Sequence, residues 1–414
     1  MTKQPNNEES PLDESPLNAS SNAKDTDGPV ADANNAANGA DSTADNADSA
    51  ASETAKFAPQ PKHAEGVIRK RHKTSRAKKR KRNIMIAVCV AVLLIAGIAL
   101  GAFAFIKAGE GALKSPMANA NPETSEEAAT YDEGRTVTYE GKKYVLNENM
   151  VSVLMIGFDR KTIAQEGENA GQADAVFVMA IDTKKGTVQP IILPRDSMVD
   201  VDLYADERYV GQEKMQLCLA YGYGDGRESS CENTARAASR LLYNIPIEYY
   251  FSLDMNSIGP LADAIGGVSL TPLQTVTKAN AYEGEPTVLF GKNALYYVQY
   301  RDTSVSTSSL DRQARQKQFL EAYFSQALQA AKGDVSILVN LYNLAGEYAI
   351  TNLGANEFSY LASVVQQNGM TALNATALTG EMSQPDKNSE YTIDQNAAYE
   401  IVLNTYYTPV EEEQ

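Results

Sequence analysis

Histidine is nearly missing from this chain. Its 414 residues hold two, His63 and His72, and both precede the one long apolar run. Everything after that run is histidine-free, which excludes a Ser-His-Asp triad, a Cys-His pair and a histidine-rich zinc site there. Chemistry in that part falls to carboxylates, arginine, lysine, tyrosine, serine or a hard metal ion. Cysteine is scarce too. Of three, Cys89 lies inside the apolar run, and Cys218 and Cys231 follow it. In an oxidising compartment these two are expected to form a disulfide, worth up to about 3 kcal/mol for so short a loop; two separate buried thiols is the other reading. The first 65 residues have almost no large apolar side chains. Rich in Asn, Ala, Ser and Asp, they cannot bury enough surface to offset the entropy of folding, and are expected to be disordered. Their acidity supplies much of the formal net charge of −16, so that figure says little about the folded part.

The next stretch reverses sign. Arg69 to Arg82, "RKRHKTSRAKKRKR", is strongly basic, and alone it suits nucleic acid. Its neighbour argues otherwise. Ile84 to Ile106 is 23 residues without a charge, about 34 Å as a helix, which is enough to cross a bilayer core. The run is too long, and the tail before it too large, for a signal peptide. The positive-inside bias then places residues 1–83 in the cytoplasm and 107–414 outside, with the basic run against anionic headgroups. No nucleic-acid partner is expected. The expected protein is a single-pass cell-membrane protein with an extracellular C-terminal domain.

Residues 107–147 are small and polar and read as a stalk; 148–407 read as the folded domain, and 408–414 as an acidic tail. "VSVLMIG", "AVFVMAID" and "VQPIIL" read as buried strands, the last two joined by a "TKKG" turn. "CENTARAASRLLYN" reads as a helix with Leu241 and Leu242 inward. "EYYFSLD" and "VSLTP" read as strands around a helix, "MNSIGPLADAIGG", closed by Gly266 or Gly267. A long helix from "SLDRQ" stops at Gly333, and "VSILVNLYNLAGEY" and "NEFSYLASVVQQNG" add two more. Strands and helices intermix, which predicts one α/β domain with helices covering a central mixed sheet.

Four charged places stand out. Asp159 and Asp174 flank neighbouring strands. They are either ordinary turn residues or a pair of oxygen ligands suited to Mg²⁺ or Mn²⁺. Arg195-Asp196 follows Pro194, which lacks an N–H and marks a strand end. Arg301 ends the apolar run "YVQYRDT". In "LDRQARQKQFL", Asp311 is a good N-cap, and Arg312 and Arg315 share a helix face at i, i+3. Cations at a helix N-terminus oppose the macrodipole unless an anion sits there as well.

"VLMIGFDR", the Asp174 segment, "ILPRDSMVDV", "CLAYGYG", "GKNALYYVQYR" and "LDRQARQKQFL" occur in that order. Together they resemble the LytR-CpsA-Psr family from about Met150 to Tyr407. The resemblance implies an α/β sandwich with an apolar pocket for a prenyl chain. It implies a phosphotransferase that moves a glycopolymer from a polyprenyl-pyrophosphate carrier onto peptidoglycan or another envelope acceptor. By motif, Asp159 and Asp174 would hold Mg²⁺. Arg195, Arg301, Arg312 and Arg315 would neutralise the pyrophosphate, with Gln316 donating a hydrogen bond, and Arg195 and Arg301 would act in catalysis. Asp174 and Asp196 are both candidates for the group that orients or deprotonates the acceptor hydroxyl. Gln172 and Gln299 stand where the family usually carries arginine. The alternative is a non-catalytic, regulatory member that senses lipid-linked precursors through the same pocket.

Overall fold

The computed structural model describes residues 90, 92, 94, 96–97, 99–113, 117, 120–158, 163, 170–205, 208–302, 304, 308–332, 334, 336–369, 373–383 and 389–410. All lie in one of the two units into which the chain divides, Lys73–Gln414. The predicted tail, the basic run and the first residues of the predicted span Ile84–Ile106, through Cys89, lie outside the described residues, as do a few positions further along it. Residues 99–112 are helical (α1), and among the described residues no helix is long and apolar enough to cross a membrane.

Then come β1 (Ala129–Tyr131), β2 (Thr136–Tyr139), β3 (Lys142–Leu146), β4 (Met150–Phe158), β5 (Ala173–Asp182), β6 (Thr187–Leu193), β7 (Met198–Ala205) and β8 (Arg208–Gln216). After them lie α2 (Leu219–Gly222), α3 (Glu228–Leu241), β9 (Tyr249–Leu253), α4 (Ile258–Ala264), β10 (Val268–Leu270), β11 (Thr287–Leu289), α5 (Gly291–Gln299) and α6 (Ser308–Ala330). The chain ends with α7 (Ser336–Gly346), β12 (Ala349–Thr351), α8 (Ala355–Gln367), β13 (Thr376–Ala377), β14 (Gly380–Ser383), β15 (Glu390–Ile393), α9 (Gln395–Tyr406) and β16 (Tyr407–Pro409).

The central sheet has the order β12-β9-β4-β5-β6-β13. It is mixed: β9 and β13 run parallel to β4 and β6, and the other pairs are antiparallel. Both its faces are covered, which is why β4 and β5 read as continuous apolar runs rather than alternating ones. Leu154, Ile156, Val176 and Val178 pack in one core with Ala238 and Leu241 of α3 and Val402 and Tyr406 of α9. Val151, Val153, Met179 and Phe251 pack on the other face with Ala345 of α7 and Leu361 of α8. Ser152, the polar break in β4, sits 3.0 Å from the Tyr406 hydroxyl. The α/β expectation therefore holds, as do the β5–β6 hairpin, the inward Leu241 and Leu242, and the glycine stop after α4. Gly266 and Gly267 there both adopt left-handed φ, 82° and 88°.

The stalk expectation fails. Residues 129–146 form three strands, and β3 pairs with β16, so the fold closes its first strands with its last. Val137, Tyr139 and Leu146 are buried in the larger core. Small and polar composition concealed the alternation of "TVTY" and "KKYVL" around a Glu140-Gly141 turn in which both φ are positive. The predicted acidic tail likewise begins later than residue 408, because Thr408 and Pro409 belong to β16.

The β7–β8 hairpin is tied to α3 by Asp202. This carboxylate is 4% exposed and accepts from Gln212 at 2.8 Å, Arg236 at 2.7 Å and Arg240 at 2.8 Å. Burial pushes its pKa up, but Gln212, Arg236 and Arg240 outweigh that, and the folded carboxyl lies below its ordinary value. A depressed folded pKa stabilises the fold above the ordinary carboxylate range and ceases to do so as pH falls through the folded value. Asp202→Asn is expected to cost about 2–3 kcal/mol at neutral pH. The gap to wild type should close in acid, which melting curves between neutral and strongly acidic pH would read.

Candidate active site

The strand ends at one edge of the central sheet carry the charged residues. Phe158 ends β4 opposite Ala173 at the start of β5, and Leu193 ends β6 opposite Val176. Asp174 is therefore the second residue of β5 rather than a turn residue before it. Arg195 and Asp196 follow β6 by two and three positions, at the same edge. Asp159, the other half of the predicted metal pair, lies outside the described residues.

Arg195 is the hub. Its Nη1 donates to Asp174 Oδ1, its Nε to Asp196 Oδ1 at 3.2 Å, and its Nη2 to Gln172 Oε1 at 2.8 Å and to the Cys218 sulfur at 3.0 Å. The backbone is pinned as well. Cys218 N–H donates to Arg195 O at 2.9 Å, and Ala173 N–H donates to Cys218 O at 3.1 Å. The "CLAYGYG" segment thus fixes the arginine loop against β5. Its Tyr221 is buried and stacks on Phe158 with ring centroids 5.4 Å apart. Gln172, at a usual arginine position, receives a hydrogen bond from Arg195 that a second guanidinium could not accept.

Arg312 comes in from α6. It is 7% exposed, and its Nη1 donates to Asp174 Oδ2 at 3.2 Å. Burial, with Arg195 and Arg301 nearby, pulls its pKa down to about 10, so it stays a cation at neutral pH. Arg195 and Arg312 match Asp174 and Asp196 one for one, and Arg301 adds a further cation near Arg312, an arrangement that suits an anionic ligand.

One expected residue has another place. Arg315 is 1% exposed and turns to α5, where it donates to Tyr297 O at 3.2 Å, to Tyr300 O and to Gln274 Oε1. It satisfies carbonyls at the C-terminal end of α5, where a cation also suits the macrodipole. Residues three apart on a helix differ by about 60° in direction, enough for Arg312 and Arg315 to meet different neighbours. Arg301 is exposed, and its Nε donates to Ser308 Oγ at 3.1 Å. Asp311 is not the N-cap: α6 begins at Ser308, so Asp311 belongs to its first turn and Arg312 is the fifth residue. Gln316 lines the same cavity and donates to Val298 O at 3.5 Å.

The disulfide expectation is also overturned. Cys218 and Cys231 are both free and buried. The first turns its sulfur to Arg195, and the second packs from α3 into the core. Burial pushes the Cys231 thiol up to about 12, and it raises Cys218 as well, against the opposing pull of Arg195.

Behind the charged edge lies a cavity of about 470 Å³ between the sheet and α4 and α6. Met155, Phe177, Leu261, Leu320 and Phe324 make it apolar; Asp174, Arg195, Asp196, Gln299 and Arg312 also line it. Gln299 ends α5 and donates to the Met255 sulfur. Sequence reasoning missed Asp254, Gln313 and Lys317, which line the cavity too. Gln313 and Lys317 carried a signal in their α6 spacing. Among the described residues no group of three His, Cys, Asp or Glu could hold a metal ion. The donor chemistry still fits a hard cation. Asp174 offers oxygen alone, and each carboxylate oxygen has a lone pair beyond the one its arginine takes.

The chain has relatives among known proteins. The LytR_cpsA_psr family model matches residues 115–405, beginning well before the first strand that the sequence made obvious. The polyisoprenyl-teichoic acid–peptidoglycan teichoic acid transferase TagU of Halalkalibacterium halodurans is 28% identical over 184 residues, 43% of this chain and 53% of that protein. The protein of the same name from Bacillus mycoides is 26% identical over 174 residues, 42% of this chain and 51% of that one. The chain thus spans about half the length of the curated relatives it matches. The crystal structure of protein gbs0355 from Streptococcus agalactiae shares the fold, with a TM-score of 0.50 at 19% identity over 63% of this chain and 90% of that one.

Proposed function

The chain belongs to the LytR-CpsA-Psr family, and on that premise we propose that it is a glycopolymer transferase of the cell envelope. The donor is a polyprenyl-pyrophosphate-linked glycan, and the acceptor a hydroxyl of peptidoglycan. The observation that carries this reading is the pairing of Arg195 and Arg312 at the mouth of an apolar cavity. A prenyl chain needs an apolar slot, and a pyrophosphate needs fixed cations beside it. Teichoic acid transferases are the named relatives, which favours an anionic wall polymer as the transferred group.

In this reading the prenyl chain lies along Met155, Phe177 and Phe324, and the pyrophosphate meets Arg195 and Arg312. Phosphoryl transfer asks the protein mainly for alignment and charge neutralisation. The acceptor oxygen forms a bond to the phosphorus that carries the glycan, and the bond from that phosphorus to polyprenyl phosphate breaks. Guanidinium groups neutralise the leaving phosphate as its charge grows. Mg²⁺ held by Asp159 and Asp174 would add further neutralisation. We place the protein at the cell membrane, anchored through Ile84–Ile106 with its N-terminus inside.

Incubation of the full chain in detergent with a short-chain polyprenyl-pyrophosphate disaccharide and a peptidoglycan fragment tests this. Release of polyprenyl phosphate with formation of a phosphodiester is expected, and it should stop in excess chelator. Binding of the donor without turnover, with or without Mg²⁺, would point to the sensing alternative.

Gln299→Arg restores a charge usual in the family. The side chain already lines the cavity at the C-terminal end of α5, where the macrodipole favours a cation. Donor affinity is expected to rise by about 1–3 kcal/mol, with a steeper salt dependence. Isothermal titration beside a melting curve checks it: a lower melting temperature without gain in affinity would count against a pyrophosphate there.

A further inference from the structure

Asp254 is a buried carboxylate that none of the roles above uses. It follows β9, which runs parallel to β4 with Leu253 opposite Gly157. Gly157 in turn faces Ala175 of β5. Asp254 therefore stands at the same sheet edge as Asp174 and Arg195, on the far side of β4. Two strand spacings separate it from Asp174, about 10 Å along the sheet. It is 6% exposed and lines the same cavity.

Its surroundings differ from those of the other two carboxylates there. Asp174 holds Arg195 and Arg312, and Asp196 holds Arg195. Asp254 forms no ion pair among the described residues. Its Oδ1 accepts from the Asn256 N–H at 2.8 Å, and its own N–H donates to Tyr348 O at 3.2 Å. The other charged groups lining the cavity are Asp174, Arg195, Asp196, Arg312 and Lys317. Burial raises the Asp254 carboxyl above its ordinary value, and the backbone N–H groups of Asn256 and Ser257 only partly offset the rise. The neighbouring α5 presents uncharged Gln299, and β4 presents Gly157 and Met155.

We propose that Asp254 is the general base that takes the proton from the attacking hydroxyl. This deepens the transferase reading and rests on it. In-line displacement puts the nucleophile across the phosphorus from the leaving group. With the leaving phosphate held by Arg195 and Arg312 near β5 and β6, the attacking oxygen approaches from the β9 side. A span of about 10 Å leaves room for a phosphate, the attacking oxygen and a hydrogen bond between the two carboxylates. As the oxygen–phosphorus bond forms, the hydroxyl proton passes to Asp254, and the electron pair of the breaking bond leaves with polyprenyl phosphate. The carboxylic acid then returns its proton to solvent. The absence of a guanidinium partner suits the task, since a base must accept a proton rather than hold a cation.

Asp254 also caps the helical turn Met255–Ser257, and asparagine can do that equally well. Asp254→Asn in the full chain is the test, with the disaccharide donor and peptidoglycan fragment named above. We expect turnover to fall at least 100-fold with donor affinity within two-fold of wild type, an unchanged melting temperature, and loss of the rising acidic limb of the rate profile. Asp254→Glu should restore part of the rate, because it keeps a carboxylate. Turnover of Asp254→Asn within ten-fold of wild type overturns the proposal, as does a wild-type profile that lacks the acidic limb. If wild type binds donor but never turns over, the transferase reading itself fails and the base has nothing to act on; active wild type with active Asp254→Asn sinks the base alone.

Discussion

Arg195→Ala is expected to lower glycan transfer by about 10³-fold or more. Two losses combine. The donor pyrophosphate loses a fixed guanidinium, and Asp174 and Asp196 are left facing it with less compensation. A site built to attract an anion would then present carboxylates. Because Asp196 is buried, its lost partner also carries a stability cost, and Gln172 and Cys218 each lose a donor. Arg195→Lys should recover only a fraction of the rate, since an ammonium cannot reach Asp174, Asp196 and Gln172 together. Rates with the synthetic donor, read beside donor titrations, decide the matter: Arg195→Ala within ten-fold of wild type would remove the arginine from the mechanism.

Arg315 gives the opposite result. By family pattern it belongs to the pyrophosphate, whereas each of its three nitrogens already donates within the fold, to Tyr297 O, Tyr300 O and Gln274. Burial lowers its pKa, and its guanidinium also lies over the Tyr300 ring, 5.2 Å from the centroid. Arg315→Met keeps the volume but strands three acceptors. A loss of about 3 kcal/mol is expected from acceptors left without donors, seen as a lower denaturant midpoint at constant slope. Donor affinity of the folded variant should stay near wild type. Lost affinity at unchanged stability would return Arg315 to the ligand.

The charged edge was legible in the sequence because its residues interrupt apolar runs. Pro194-Arg195-Asp196 ends a strand whose burial was plain, and Asp174 opens another. What periodicity could not settle was direction. Arg312 and Arg315 share a helix face by spacing, yet one meets the sheet and the other meets α5. Cys218 and Cys231 are close enough in sequence to suggest a bridge, but α2 and α3 send one sulfur to Arg195 and the other into the core. Asp254 was hidden for a different reason. "EYYFSLD" reads as a strand with a polar end, and only its pairing parallel to β4 brings that end to the site. The first three strands were missed because their alternation is short and half of it is polar.

The β3–β16 pairing sets an order of events for a chain made from its N-terminus. Tyr407, Thr408 and Pro409 face Leu146, Val145 and Tyr144. The outer edge of β3 thus waits for residues made about 260 positions later, on the order of tens of seconds at ordinary elongation rates. Contacts so distant in sequence make for slow closure. During that wait an open strand edge is a place for wrong pairing, and β3 carries exposed Lys142 and Lys143, charges of the kind that discourage one edge from adding to another. A chain cut short before Tyr407 would keep most of its helices and its charged site, yet carry that edge permanently, so its first symptom would be self-association rather than inactivity.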